Sequence, residues 1–150
     1  MPDSYLDSQS TYVDKDAAAY KRKVISTDAA TRTLTVDESG SVVIATKGSA
    51  TQTFTLPVAA TAGAGAEYSF ICGHASGEIL VDPDDADDIK GMALAAVGAD
   101  ADTATLAPAD NTGIKNTAAS NVLGDSIILV SDGVTSWYVL GMPSGIWATQ

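Results

Sequence analysis

Residues 124–147 read GDSIILVSDGVTSWYVLGMPSGIW, and this stretch decides the fold. Two β-type runs, 126–130 and 136–140, flank Asp132-Gly133. A Gly-containing connection of about three to five residues between such runs predicts a hairpin, here the final hairpin of the domain. Side chains alternate between faces along a strand, so Ile127 and Leu129 point one way and Ile128 and Val130 the other. Trp137 and Val139 oppose Tyr138 and Leu140 in the same way. A strand buried on one side only alternates apolar with polar residues, whereas these runs are apolar on both sides and call for two covers. The chain itself supplies one. The other is expected to be a second copy, with Ile128, Val130, Tyr138 and Leu140 as the oligomer interface.

Outward from this hairpin, short β-type runs recur between Gly, Asp and Pro. Residues 31–36 alternate Thr with Arg32, Leu34 and Val36, DESG at 37–40 is a turn, and 41–46 is the return strand. Gln52, Phe54 and Leu56 repeat the alternation before Pro57. Residues 59–66, AATAGAGA, form a small-residue connection, and residues 67–72 a strand with Tyr68, Phe70 and Cys72 on one face. Residues 77–81 follow as another strand. The stretch 92–108 reads as strand, turn and strand, because Gly98 and the Asp-Ala-Asp alternation break a helix. The expected fold is all-β: a compact β-barrel or β-tulip/sandwich-like domain of short antiparallel strands over residues 31–150.

Residues 1–30 differ. They carry Lys15, Lys21, Arg22 and Lys23, half of the chain's 8 basic residues, and three of its 5 tyrosines, with no glycine. Asp14 can cap a two-turn helix over residues 15–20, too short to be stable alone. The segment is expected to be an N-terminal arm that needs a surface to lie on. Its anchors would be Tyr5, Leu6, Tyr12, Val13, Tyr20, Val24 and Ile25, with Arg22 among its bases.

At 150 residues the chain fits one domain that needs no covalent staple. With 19 acidic against 8 basic residues the net charge is −11, which argues against unspecific binding to nucleic acid or an anionic membrane and points to protein partners. No signal peptide or membrane-spanning run is read, and synthesis in a host cytoplasm is expected. Cys72 is the only cysteine and His74 the only histidine, so intrachain disulfides, cysteine-cage zinc sites and multi-histidine sites are excluded. Cys72 is expected to be a buried small hydrophobe, His74 a surface residue, and Trp137 and Trp147 packing residues. The turn VDPDDADDIKG, with five aspartates between Asp82 and Asp88, lacks the glycine and the terminal acid of a calcium-binding EF-hand loop and is read as a solvated acidic turn. No nucleophile elbow, phosphate-binding loop or dinucleotide fingerprint occurs, so neither an enzyme nor a cofactor is expected.

The order of signals, TFTLPVA, a small-residue turn, EYSFI, DDIKG, GDSIILVSDGVTSWYVLG and a Gly-Ile-Trp tail, resembles a group of small tailed-phage proteins that decorate or cement the capsid or form fibre tips. The resemblance spans residues 40–147 and leaves the arm outside it. It implies a compact β unit that associates as a homotrimer, sits on the capsid surface of the virion and bridges neighbouring capsomers, with the major capsid protein as partner. The arm would then be the capsid-binding segment. The other function it implies is a fibre or tail tip that recognises a host glycan or protein.

Overall fold

The computed structural model describes residues 21–84, 86–97, 100–106, 113–116 and 121–150, with the backbone described for 92–97 and 100–106. The domain is mostly β, two sheets packed as a sandwich. In chain order the strands are β1 (Val24–Thr27), β2 (Thr31–Thr33), β3 (Ser41–Ala45), β4 (Thr51–Thr55), β5 (Ala64–Cys72), β6 (Glu78–Asp82), β7 (Asp88–Val97), β8 (Asp100–Leu106), β9 (Ile114–Asn116), β10 (Ser126–Asp132), β11 (Ser136–Val139) and β12 (Trp147–Thr149). One sheet has seven strands in the order β1-β3-β5-β10-β11-β7-β8, the other five in the order β12-β9-β6-β4-β2.

The first six strands alternate between the two sheets. A chain that crosses the sandwich at every corner returns to each sheet running in its earlier direction, so neighbours within a sheet are parallel. Val24 pairs with Val42 and Val42 with Ser69 on one side of the sandwich, and Thr31 with Thr53 and Thr53 with Leu80 on the other. The expected antiparallel pairing therefore holds only from β7 onward and at the β5–β10 and β6–β9 seams. Even there β11 runs parallel to β7. The turn at residues 37–40 carries the chain from one sheet to the other, by way of a single 3-10 turn at Val36–Glu38, and does not close a hairpin. β1 is an integral strand of the larger sheet, so residues 24–27 of the expected arm belong to the sandwich.

The core is what the alternation places between the sheets. Phe54, Leu56, Ile79 and Val81 from the smaller sheet meet Val43, Tyr68, Phe70, Ile127, Leu129 and Trp137 from the larger, and Trp147 closes one end. The rings of Phe54 and Phe70 lie 5.6 Å apart, and those of Tyr68 and Trp137 also 5.6 Å, both tilted as aromatic quadrupoles favour. Gln52 is buried among them with its amide matched. Its Nε2 donates to the carbonyls of Thr27 (2.9 Å) and Ala29 (2.7 Å), and its Oε1 accepts from Lys47 N–H (3.0 Å), tying two successive corners together. Residues 59–66, expected as a loop, begin with the helical turn α1 (Ala59–Ala62) and then enter β5. Asp87 is buried, and its Oδ2 accepts the N–H of Ala59 at 2.6 Å, so the acidic turn is not wholly solvated.

Candidate interaction surface

The β10–β11 hairpin forms as its sequence requires, with Leu129 opposite Val139 and Val130 opposite Tyr138. Its turn is held by one carboxylate. Asp132 Oδ1 accepts the N–H groups of Val134 (2.7 Å), Thr135 (3.1 Å) and Ser136 (3.0 Å). The Val134 N–H is the main reason its pKa lies below the ordinary carboxylate value; burial opposes it, and Ser136, Thr135 and the Lys90 ammonium add to the lowering. Gly133, at φ +75°, passes so close to β5 that an added Cβ would lie 2.5 Å from Ala64 N.

One face of this hairpin is core: Ile127, Leu129 and Trp137 are 1% exposed or less. The other face is only partly covered, with Arg22 lying over Ser69 beside Ile128. Ile128 and Val130 are half-buried, and Tyr138 and Leu140 are 42% and 49% exposed. These are the four positions expected at an oligomer interface, and the sheet places them side by side. Register extends the patch: Ile128 lies across from Ser69 and, beyond it, Val42, and Ile71 lies across from Ile44. Val42, Ile44 and Ile71 are half-buried on the same outer face. Sequence reasoning did not assign these three to the surface, although SVVIA shows the same two-faced apolar signal as SIILV.

Charge lies within this face as well as beside it, since Glu67 on β5 is directly across from Val130 and Asp132 continues the outer side of β10. Arg22 precedes β1 and reaches to β5. Its guanidinium meets Glu67 at 3.0 Å and donates to Ser69 Oγ at 3.0 Å. On the far side Lys90, opposite Tyr138, meets Asp88 at 3.3 Å and donates to Ser136 Oγ at 2.7 Å. Near β1, Glu38 gathers Arg32 (2.6 Å), Lys23 (3.6 Å) and the N–H of Thr35 (3.0 Å). Burial works against ionisation there, yet the Thr35 N–H, Arg32 and Lys23 outweigh it and hold the Glu38 pKa below its ordinary value.

Of the residues expected to bind a capsid, Tyr5, Leu6, Tyr12, Val13 and Tyr20 lie outside the described residues. Arg22 and Val24 are exposed. Ile25 is not: it points into the sandwich, 7% exposed, as a member of the core, because β1 alternates and Val24 takes the outer side. That removes Ile25 from the set.

A separate polar cavity of about 300 Å3 is lined by Ser49, Ala50, Thr51, Ser76 and Glu78. Thr51 Oγ1 donates to Glu78 at 2.7 Å, and Lys115 lies 3.6 Å from the same carboxylate. Ser49 holds φ +60°, and the exposed His74 nearby accepts the N–H of Ser76 on Nδ1 at 3.2 Å. Hydroxyls beside a carboxylate suit a small polyhydroxylated ligand. Cys72 is buried, and burial raises its thiol pKa, consistent with a packing residue. Among the described residues no three His, Cys, Asp or Glu side chains converge as metal ligands do. No family model matches the chain, and no curated protein matches it.

Proposed function

We propose that this chain is a structural virion protein, which binds the outside of a tailed-phage capsid as a homotrimer and cements the shell. The observation that carries the reading is the outer face of β10 and β11, where Tyr138 and Leu140 are exposed beside the half-buried Ile128 and Val130. An apolar centre with polar surroundings is the anatomy of a protein contact. The resemblance of residues 40–147 to phage decoration proteins supplies the context. In that role the rigid sandwich resists deformation, and an oligomer spans neighbouring capsomers through several linked contacts, each weak alone. The major capsid protein is the partner. The test is the composition of purified virions: decoration predicts this chain at a copy number comparable to that of the capsomers, removable without loss of the tail.

The cavity beside Glu78 supports a second reading, a fibre or tail tip that holds a host glycan. That reading predicts a few copies at the tail and binding to cell-surface sugar that Glu78→Gln abolishes.

A further inference from the structure

We infer that Asp132-Gly133 is a site of spontaneous aspartate isomerisation, held closed in the folded chain by the hydrogen bonds of the β10–β11 turn and opened when that turn comes apart. The inference concerns the chemistry of the chain itself and stands apart from its place in a virion.

The sequence contains one Asp-Gly step and no Asn-Gly step. A glycine after an aspartate has no Cβ to shield its amide nitrogen, and that nitrogen can attack the aspartate's own side-chain carbon. The Gly133 nitrogen bonds to Cγ of Asp132 and gives up its proton, while the protonated carboxyl loses its hydroxyl. One water leaves and a five-membered succinimide forms. Water then adds to either ring carbonyl. Breaking the bond from nitrogen to Cγ restores aspartate, whereas breaking the bond from nitrogen to the original main-chain carbonyl routes the backbone through Cγ and frees that carbonyl as a carboxylate, which is isoaspartate. The water lost is regained, so the isomerisation needs no other reactant.

The fold opposes each of these requirements. The Gly133 N–H donates to Ser131 Oγ at 3.0 Å, and the same buried hydroxyl donates to the carbonyl of Ala59 at 3.2 Å, so the attacking nitrogen keeps its proton on a fixed acceptor. Asp132 Oδ1 accepts the N–H groups of Val134, Thr135 and Ser136, which draws the carboxyl over the residues that follow. The same bonds favour the ionised form, which lacks the hydroxyl that must leave. Main-chain rotation toward ring closure is restricted as well. Asp132 pairs with Ala64 on β5, and Gly133 lies against that residue so closely that an added Cβ would be 2.5 Å from its nitrogen. Asp132 is only half-buried and remains within reach of water, so the hydrogen bonds protect it and not exclusion of solvent.

Unfolding releases all of these partners together. An isoaspartate then places an extra carbon in the main chain between β10 and β11 and displaces the carboxylate, so the turn cannot recover both its acceptor for three N–H groups and its close passage along β5. A chain that isomerises before it refolds is removed from the native pool, which makes prolonged unfolding irreversible.

Peptide mapping tests this. Wild-type chain is incubated folded in buffer and unfolded in concentrated urea at the same pH and temperature, then digested, and isoaspartate is located by mass spectrometry with electron-transfer fragmentation. The unfolded chain should accumulate isoaspartate at residue 132 ahead of every other aspartate. The folded chain should do so more slowly by about tenfold or more, since only transiently opened copies react. Ser131→Ala, shown to be folded by circular dichroism, should isomerise faster than the folded wild type and at the wild-type rate once both are unfolded. On removal of urea, the isoaspartate-bearing fraction of aged wild type should fail to regain the native near-ultraviolet spectrum. Equal rates in folded and unfolded wild type would overturn the inference, as would unfolded chains whose isoaspartate spares residue 132, or a folded Ser131→Ala no faster than the wild type. Should Ser131→Ala fail to fold, the comparison of folded with unfolded wild type decides alone.

Discussion

Asp87 Oδ2 accepts the backbone N–H of Ala59 at 2.6 Å, joining the acidic turn that precedes β7 to the first residue of α1 across the sandwich. Both residues are buried. The first N–H groups of a helical turn have no partner within it, so a carboxylate from elsewhere in the chain satisfies one of them. Asp87→Ala leaves that N–H buried and unpaired and should cost about 1–3 kcal/mol. Asp87→Asn keeps an acceptor and should cost less. Urea unfolding of the two variants checks the order.

The hairpin turn gives a second prediction. Asp132→Ala removes the acceptor of three N–H groups and should lower the melting temperature, whereas Asp132→Asn retains a side-chain oxygen and should recover most of the loss. Gly133→Ala should be harmful for a different reason. It forces a side chain onto φ +75° and drives its Cβ to 2.5 Å from Ala64 N, a backbone atom that cannot move aside without disturbing β5.

A third concerns pH. The folded-state pKa of Glu38 lies below its ordinary 4.5. Its contribution is thus fully present above about pH 4.5 and is lost as pH falls through the lower folded value, where the native carboxylate takes up its proton. Glu38→Gln should unfold more easily than the wild type at neutral pH, and the difference between the two should shrink under acid. Thermal melts of both proteins from pH 7 downward measure it. A gap that stays constant would place the stabilisation elsewhere.

What the sequence made legible was local. Alternation in SIILV and SWYVL around Asp-Gly specified the last hairpin, and the same rule placed Tyr68, Phe70 and Cys72 together on one face, which the structure buries. The two-faced apolar pattern also pointed to Ile128, Val130, Tyr138 and Leu140. The sheet-to-sheet winding of the first six strands was not legible, because DESG at 37–40 signals a change of direction and not which sheet the chain enters next. Parallel neighbours such as Val24 and Val42 share no local turn that would announce them. Asp87 could not be told from its neighbours in VDPDDADDIKG, since only the distant Ala59 N–H distinguishes it. The Arg22–Glu67 pair was hidden for the same reason, as its members lie far apart in sequence and meet only through the pairing of β1, β3 and β5.

The core offers a fourth prediction. Gln52 is polar and 1% exposed, yet three hydrogen bonds consume its amide. Gln52→Leu conserves volume but orphans the carbonyl of Ala29 and the N–H of Lys47, and leaves the Thr27 carbonyl with the Thr46 N–H alone. It should destabilise the chain by about 1–3 kcal/mol despite greater hydrophobicity. Equilibrium unfolding that shows Gln52→Leu to be as stable as the wild type would contradict the role given to these corners.

The central claim is that this chain seats on a phage capsid and holds it together, and co-sedimentation with shells stripped of their decoration tests it most directly. The account predicts that purified protein pellets with the shells to a saturating stoichiometry set by capsomer symmetry, and that the decorated shells release their genome at a higher temperature. Protein that stays in the supernatant at saturating concentration, with the release temperature unchanged, would contradict it.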